Sequence, residues 1–537
     1  MHNLVMDIVK LRTELGYKKN PYNANHYALE HMEKNPEKIA LKFPKMINNN
    51  GYLTYDSLTF GEFRKNALFF AQGLKDEGIS AGDRVILLFP VSVDLYLLIF
   101  ACFYIGAVPV FIDVTMGKEK LLSVLKISKA KLVISVDELL KFRFFIPSLY
   151  FKNCYSFNSK RFFFHALNDL RSEKMYNEHE TLQDENSTAL ITFTSGALSI
   201  PKGANRTIRI LLNQKIVSEY MWPHKLNEID MPSFPMIVLQ NLGCGVSSIL
   251  PYVNFQKINE MNPSLIVAQI TEEKITRMSA QPFFIEKIAD YILKNNIKLE
   301  TLSSIVVGGA CVSRTLCKLL VKAFPNTDLN VVYGSTEAEP ITYISVADLL
   351  QKEGDGYLVG KAAPTLEIKL LKTGELSINE STIILSHGCR SFGEVILSGP
   401  HVIEEYIDDH ISNRELKLKD SQGKIWHRTG DLGYFDEENN LWLLGRLKDQ
   451  IHINGEWMPC YSIEEHILNI FGVKSAFIDD PKILFIEKSS QVDIGGLNQY
   501  LEQMNLSEFL VKEISKLPVD HRHFSRVDRE TLKKQFT

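Results

Sequence analysis

A sequence of 537 residues is too long for a single hydrophobic core, and its 45% apolar and 23% charged residues are typical of a globular protein. A formal net charge of −4 argues against the basic surface with which proteins neutralise nucleic-acid phosphates, so we expect no nucleic-acid partner. The seven scattered cysteines show neither CxxC spacing nor a histidine at ligand spacing. We therefore expect reduced thiols in a cytoplasmic protein and no metal site built from cysteine.

The amino terminus and one apolar run are the segments to test for export or membrane insertion. Residues 1–20 carry charges within any apolar stretch, so we expect a short amphipathic helix and not a signal peptide. Residues 95–112 are uncharged and long enough to be considered as a membrane helix. Because Pro109 and the preceding Gly106 interrupt that run, we interpret it as a buried helix and a buried strand. We therefore expect no transmembrane segment.

Short strands alternate with helices from residue 38 to residue 135. Strands are predicted at 38–43, 51–55, 84–89, 108–113 and 131–135, and helices at 58–74, 93–104 and 118–127. Alternation at this spacing is typical of a doubly wound parallel sheet with right-handed crossovers. Residues 143–183 have no clear period, and we expect a loop and one variable strand there.

A strand that ends in a small polar loop follows at residues 189–203. The apolar strand leads into Thr194, Ser195 and Gly196, and the loop closes at Lys202. Backbone N–H groups of such a loop can hold phosphate oxygens, while the hydroxyls and the lysine supply further donors. The alternative is a solvated turn that binds nothing.

The nearly uncharged residues 231–251 permit two interpretations. One is a core helix, and the other is the wall of a tunnel for a hydrophobic substrate. In the second interpretation Phe234 and the stretch from Leu239 to Cys244 lie near the substrate, and Gly243 and Gly245 leave room for it.

Two later strands, predicted at 302–311 and from residue 329, end in small or polar residues. A glycine pair after a strand permits a planar ring to approach the backbone closely. The candidate residues are Gly308, Gly309 and Ala310 after the first strand, and Tyr333, Gly334, Thr336 and Glu337 after the second.

Short alternating strands, predicted at 367–371, 374–378 and 394–398, are typical of a small β-barrel subdomain. The tripeptide that ends at Asp431 precedes a β-hairpin predicted within residues 433–444. Arg446 and Lys448 follow the hairpin behind a glycine, in a composition typical of a hinge. A helix is predicted to begin near residue 462.

The order of TSG and PKG, YGSTE, TGD and GRLKD resembles the adenylate-forming superfamily of acyl-CoA synthetases, peptide-synthetase adenylation domains and firefly luciferase. The resemblance implies an α/β fold in which residues 1–447 form a large domain. That domain would contain two doubly wound mixed sheets and a small β-barrel subdomain at about 357–444. A small mobile α+β domain, residues 448–537, would follow a hinge at Lys448. ATP and Mg²⁺ are the implied cofactors.

The resemblance also implies roles for single residues. Asp431 would hold the ribose hydroxyls, Tyr333 would stack on adenine, Thr336 would touch the α-phosphate and Glu337 would hold Mg²⁺. The predicted catalytic residues are Lys202, Thr336, Glu337 and Arg526. The predicted nucleotide-binding residues are Thr194, Ser195, Gly196, Gly308, Gly309, Ala310, Tyr333, Gly334, Asp431 and Arg446.

The chain departs from the superfamily pattern at two places. Ala197 and Leu198 replace two usual hydroxyl residues, and Ser199 replaces a usual glycine. The lost donors should weaken phosphate binding by about 0.5–1.5 kcal/mol per hydrogen bond. Arg526 stands where a lysine is usual, and its planar head is not equivalent to an ammonium group. A catalytically impaired relative that binds acyl-AMP or nucleotide is therefore an alternative function. The alternative interpretation of Arg526 is that it belongs to a solvated basic tail.

Residues 231–245, 331–340 and 517–532 together resemble the β-lactone synthetases of bacterial long-chain olefin pathways and related fatty acyl ligases. The resemblance implies adenylation of a fatty or β-hydroxy fatty acid, followed by attack of its own hydroxyl on the acyl-AMP carbonyl. Transfer to CoA or an acyl carrier protein is the alternative. Other enzymes of a lipid pathway are candidate partners.

Overall fold

The computed structural model describes residues 6–17, 23–47, 53–112, 117–141, 146, 153–158, 164–177, 183–194, 201–453, 456–470, 473–479, 483–488, 493–504, 506–515, 517–518 and 532. The chain divides into two compact units. The first comprises Met1–Ser279, Thr336–Glu339 and Pro400–Lys417, and the second comprises Ala280–Ser335, Pro340–Gly399 and Leu418–Thr537.

Helices and strands alternate along the chain. The α-helices are α1 Ile8–Glu14, α2 His26–Lys34, α3 Phe60–Asp76, α4 Val93–Ile105, α5 Lys118–Ile127, α6 Asp137–Leu140, α7 Ile208–Met221, α8 Ile237–Cys244, α9 Pro263–Glu272, α10 Pro282–Lys294, α11 Arg314–Ala323, α12 Val346–Gln351, α13 His410–Leu416, α14 Tyr461–Ile470 and α15 Ile494–Gln503. Short 3₁₀ helices span Leu167–Leu170, Ile258–Glu260 and Leu447–Asp449.

The strands are β1 Ile39–Ile47, β2 Leu53–Thr59, β3 Arg84–Leu88, β4 Val108–Phe111, β5 Leu132–Ser135, β6 Asn153–Ser156, β7 His165–Ala166, β8 Thr188–Thr194, β9 Lys202–Thr207, β10 Ile229–Pro232, β11 Ser247–Ile249, β12 Arg277–Ala280, β13 Ser304–Gly308, β14 Asp328–Ser335, β15 Ala338–Ser345, β16 Tyr357–Ala362, β17 Glu367–Leu371, β18 Ile383–Ile384, β19 Gly393–Ser398, β20 Lys417–Lys419, β21 Ile425–Phe435, β22 Leu441–Arg446, β23 Ile451–Ile453, β24 Glu456–Met458, β25 Val473–Asp479, β26 Ile483–Lys488 and β27 Leu510–Ile514. The helices and strands predicted between residues 38 and 135 are confirmed within the described residues, with ends shifted by a few residues. Residues 143–183 contain β6 and β7.

One sheet of the first unit has the strand order β7-β6-β5-β3-β4-β8-β9. Neighbouring strands run parallel until the last pair, β8 and β9, which is antiparallel. Strands β3 and β5 are buried along nearly their whole length. Continuous burial is expected for parallel strands that are covered on both faces. The predicted α/β class with mixed sheets is confirmed.

Helix α4 accounts for the uncharged run in this unit. All of its residues from Leu95 to Ile105 are buried. Ser92 caps the first turn by accepting a hydrogen bond from the N–H of Leu95, and Gly106 ends the helix with a φ of 72°. Strand β4 follows directly, as the sequence predicts. Among the described residues, no helix combines the length and the apolar character needed to cross a bilayer.

A second set of strands in the first unit has the order β12-β10-β11-β1-β2. The pairs are parallel apart from β1 with β2, which are antiparallel. Helix α8 connects β10 to β11, so the segment 231–251 contains a helix flanked by two short strands. Helix α3 begins at a capping box formed by Thr59 and Glu62.

In the second unit, β13 and β14 are parallel, and antiparallel strands follow in the order β18-β17-β19-β21-β22-β16. These strands occupy the region for which a β-barrel subdomain is predicted, and barrel closure itself stays a prediction. The strand predicted at 374–378 is wrong. Gly374 has a φ of 89°, and the N–H of Glu375 bonds to the carbonyl of Lys372, which makes a turn.

The carboxy-terminal part of the second unit has a hydrophobic cluster of its own. Helices α14 and α15 contribute Ile463, Ile467 and Leu497, which pack with Leu484 and Ile486 of β26. Strands β25, β26 and β27 form a small sheet with one antiparallel and one parallel pair. Lys448 lies in the 3₁₀ helix between β22 and β23, and its role as a hinge stays a prediction.

Candidate active site

Two of the residues predicted to bind phosphate, Thr194 and Lys202, lie on paired strands of the first unit. Strand β8 runs antiparallel to β9, and Thr194 pairs with Lys202. Ser195 and Gly196 fall outside the described residues. The ammonium group of Lys202 lies 5.7 Å from the centre of the Tyr406 ring, a cation–π distance. Thr194 and Lys202 are thus held by strand pairing, with the lysine near an aromatic ring.

Tyr406 also contacts Glu337 in the first unit. Its hydroxyl donates a hydrogen bond of 2.9 Å to Oε1 of Glu337. Burial, and then the charge of Glu337, raises the pKa of Tyr406, so the hydroxyl remains a donor at neutral pH. The backbone around Glu337 is fixed by two further bonds: Arg206 donates to the carbonyl of Thr336 at 2.9 Å, and the N–H of Ile403 donates to the carbonyl of Glu337 at 2.9 Å.

Lys417 is a buried cation of this unit that the sequence did not indicate. Its Nζ donates to the carbonyl of Ile403 at 2.6 Å and lies 5.1 Å from the centre of the Tyr406 ring. Burial lowers the pKa of Lys417 to about 7, although the charges of Glu337 and Glu404 oppose that shift. The carboxylate predicted to hold Mg²⁺ therefore has a titratable cation nearby.

The second unit brings together three predicted nucleotide-binding residues, named here the Asp431 cluster. The hydroxyl of Tyr333, on β14, donates a hydrogen bond of 2.6 Å to Oδ2 of Asp431, on β21. Nε of Arg446 lies 3.0 Å from Oδ1 of the same carboxylate. Asp431 and Arg446 are register partners in the hairpin formed by β21 and β22. Both carboxylate oxygens are thus engaged, one by a hydroxyl and one by a guanidinium group.

Charge and burial shift the pKa values of the two partners of Asp431. The Asp431 carboxylate raises the pKa of Arg446. Burial, followed by the charge of Asp431, raises the pKa of Tyr333. The tyrosine therefore stays a neutral donor and the arginine stays charged across the neutral range. Thr429 holds the backbone of Asp431 in place. Its Oγ1 accepts a hydrogen bond from the N–H of Asp431 at 3.0 Å and donates one to the carbonyl of Val395 at 2.8 Å.

The predicted glycine pair has a structural use in the second unit. A Cβ added to Gly308 would lie 2.6 Å from the carbonyl oxygen of Val332, so its absence lets β13 and β14 approach each other. Gly309 has a φ of 79°, which favours glycine. Ala310 follows, and Gly334 lies at the end of β14 beyond Tyr333. The nucleotide-binding roles of these residues stay predictions.

The predicted substrate residues lie on and around α8 in the first unit. Phe234 and Leu239 are partly exposed. A Cβ on Gly243 would lie 3.6 Å from Cγ of Lys215, and one on Gly245 would lie 2.4 Å from Nδ1 of His31. Side chains of the protein thus take the space beside both glycines, and the substrate roles stay predictions. Arg526 lies outside the described residues.

Comparison with known proteins places the chain among nucleotide-dependent ligases. The profile of the AMP-binding enzyme family matches residues 29–407. An olefin β-lactone synthetase of Xanthomonas campestris pv. campestris is 25% identical over 532 residues, covering 93% of this chain and 94% of that protein. 4-Coumarate–CoA ligase 3 of Arabidopsis thaliana is 22% identical, covering 86% and 82%. O-succinylbenzoate coenzyme A synthetase of Bacillus subtilis, solved with ATP and a magnesium ion, has a TM-score of 0.72 at 19% identity, covering 94% and 99%.

Proposed function

The chain belongs to the family of AMP-binding enzymes, and we propose that it uses ATP to convert a fatty or β-hydroxy fatty acid into acyl-AMP. The Asp431 cluster is the observation that carries this proposal. A carboxylate held by a neutral hydroxyl and a guanidinium group is a preorganised acceptor for the two hydroxyls of a ribose. The matched profile covers 29–407, a range that includes both the phosphate-loop strands and Tyr333.

Adenylation joins a substrate carboxylate oxygen to the α-phosphorus of ATP and releases pyrophosphate. Lys202 and Thr336 would bind phosphate oxygens, and Asp431 and Arg446 would hold the nucleoside. The carboxylate of Glu337 is a hard oxygen donor, which fits Mg²⁺. Bound Mg²⁺ would reduce the repulsion between the incoming carboxylate and the triphosphate. The hydrogen bond from Tyr406 would keep the Glu337 carboxylate in one orientation.

Lactone closure is the second proposed step. The β-hydroxyl oxygen attacks the acyl carbonyl, the bond from that carbon to the AMP oxygen breaks, and the hydroxyl proton passes to solvent. The product is a four-membered β-lactone plus AMP, with no thiol acceptor. The similarity to an olefin β-lactone synthetase over nearly the full length of both chains supports this step. Because the attack is intramolecular, the nucleophile is already at high effective concentration.

Thioester formation is the alternative favoured by the similarity to 4-coumarate–CoA ligase 3. The experiment that separates the two products is an incubation with ATP, Mg²⁺ and a 3-hydroxy fatty acid, with and without CoA, and with the plain fatty acid as control. Lactone closure predicts that AMP is released from the hydroxy acid without CoA, and not from the plain acid. AMP release that depends on CoA and is equal for both acids would overturn the lactone proposal.

A binding-only relative is the third candidate, and it rests on Ala197, Leu198, Ser199 and Arg526. Pyrophosphate exchange with a panel of fatty acids distinguishes it, because a protein that only binds acyl-AMP would show no exchange. It would still be stabilised by a non-hydrolysable acyl-AMP analogue. If the departures only tune activity, Arg526→Lys combined with threonines at positions 197 and 198 should raise the exchange rate. Unchanged exchange by a protein that binds the analogue would favour the binding-only function.

A further inference from the structure

Three side chains with ligand atoms for a metal meet in the first unit, outside the residues to which nucleotide-binding or catalytic roles are assigned above. Glu219, His224 and Cys244 form this Cys244 cluster, and one ligand atom from each lies within 4.8 Å of the others. Glu219 and Cys244 are buried, and His224 is partly exposed. The spacings of five and twenty residues match no simple metal motif, which is why the sequence predicts no metal site built from cysteine.

The local fold explains how the Cys244 cluster forms. Glu219 lies in the last turn of α7, and Cys244 is the last residue of α8. His224 lies in the loop just after α7. The carboxyl ends of helices carry partial negative charge, so both helix ends favour a cation at this point. Gly245 then turns the chain with a φ of 67°, which ends α8 at the cysteine.

The contacts of Glu219 leave one of its oxygens directed at the histidine. Oε2 is bound by Nζ of Lys215 at 2.5 Å and by the hydroxyl of Tyr17 at 2.9 Å. Oε1 lies 3.3 Å from Nδ1 of His224. That nitrogen is shielded from solvent and faces the Glu219 carboxylate and the Cys244 thiol. The three groups therefore already converge on one point, as the ligands of a bound metal do.

We propose that Glu219, His224 and Cys244 bind a first-row transition metal ion, with Zn²⁺ as the natural occupant. Thiolate and imidazole ligands select Zn²⁺ over Mg²⁺ or Ca²⁺, which prefer oxygen. Three protein ligands leave a tetrahedral ion one position for a further ligand. Lys215 and Tyr17 orient the carboxylate from behind, as outer partners do in known metal sites. Bound metal would tie the end of α7 to the end of α8.

Cobalt provides a direct probe of the cysteine. The untagged full-length protein is freed of metal by dialysis against a chelator and then titrated with Co²⁺. We expect about one equivalent to bind with a thiolate-to-cobalt charge-transfer band, and Zn²⁺ to displace it. Cys244→Ser should lose the band and bind Zn²⁺ at least about 100-fold more weakly, since even loss of an outer partner costs about 10- to 100-fold.

The matched control is Cys389→Ser, which removes an exposed thiol outside the cluster. That variant should keep the band and the affinity. Thermal unfolding provides a readout that does not depend on spectra: Zn²⁺ should raise the Tm of the wild-type and Cys389→Ser proteins but not of a folded Cys244→Ser protein. The proposal is overturned if Co²⁺ binds without a thiolate band, if the band survives in Cys244→Ser, or if Zn²⁺ shifts the Tm of all three proteins equally.

Discussion

The hydrogen bond from Tyr333 to Asp431 offers the sharpest test of the Asp431 cluster, because Tyr333→Phe removes one oxygen and keeps the ring. The bond is 2.6 Å long and its acceptor is charged, so it belongs to the stronger class of hydrogen bonds. The Asp431 side chain is 12% exposed, which limits replacement of the lost partner by water. We expect Tyr333→Phe to lower the free energy of unfolding by about 1.5–3 kcal/mol. AMP affinity should fall by roughly 10-fold or more if Asp431 holds the ribose.

A double-mutant cycle with Asp431→Asn isolates this pair. Asp431→Asn should lower the free energy of unfolding at least as much as Tyr333→Phe does, because it also removes the charged partner of Arg446. The double variant should cost about 1.5–3 kcal/mol less than the sum of the two single variants, in urea unfolding. Tyr291→Phe, on α10 of the same unit, is the control for loss of a tyrosine hydroxyl elsewhere. Additivity within about 0.5 kcal/mol would refute an energetic coupling of Tyr333 with Asp431.

Three further predictions concern stability and metal dependence. Burial lowers the pKa of Lys417 to about 7, so above that pH the unfolded chain binds more protons than the folded chain. The contribution of Lys417 to the free energy of unfolding therefore rises with pH. In urea unfolding, the free energy of unfolding of the wild type should therefore rise by about 3 kcal/mol relative to that of Lys417→Met between pH 7 and about pH 9.5. The exposed Lys419→Met should show no such difference from the wild type. Equal pH profiles of the wild type and Lys417→Met would contradict this reasoning. Gly308→Ala should lower the free energy of unfolding by about 1–3 kcal/mol, and the Tm with it, because the added Cβ meets the Val332 carbonyl. An unchanged Tm would exclude that clash. Glu337→Gln should reduce the rate of pyrophosphate exchange at least about 100-fold. If the variant keeps the Mg²⁺ dependence of the wild type, Glu337 is not a ligand of the metal.

The parts of the fold that followed from sequence are those set by local pattern. The helix predicted at 118–127 has the observed bounds, and the uncharged run 95–112 divides into a helix and a strand at Gly106. The failure at 374–378 has a local cause as well. Alternating residues suggested a strand there, but the left-handed backbone at Gly374 makes a turn.

The parts of the site that followed from sequence are those carried by short motifs. Tyr333 and Asp431 are separated by 98 residues, and the folded chain brings them into contact. Each was nevertheless predicted from its own short motif, Tyr333 from a pentapeptide and Asp431 from a tripeptide. Lys417 belongs to no motif, and its importance comes from burial beside Tyr406. The Cys244 cluster was missed for the same reason, since α7 and α8 bring its residues together only in the folded chain.

The residues predicted to bind the nucleoside and those predicted to bind the phosphates depart from the superfamily to different degrees, and that difference orders the three candidate functions. Asp431 is present and contacts both Tyr333 and Arg446, so nothing in the Asp431 cluster distinguishes an enzyme from a protein that only binds acyl-AMP. The departures from the superfamily pattern fall instead at Ala197, Leu198 and Arg526, positions that the resemblance predicts to contact phosphate or the charge that develops during transfer. Binding energy that is equal for substrate and transition state leaves the rate of the chemical step unchanged. The predicted role of the Asp431 cluster in binding AMP is therefore the same under every candidate function, and the rate of pyrophosphate exchange is the quantity that separates them.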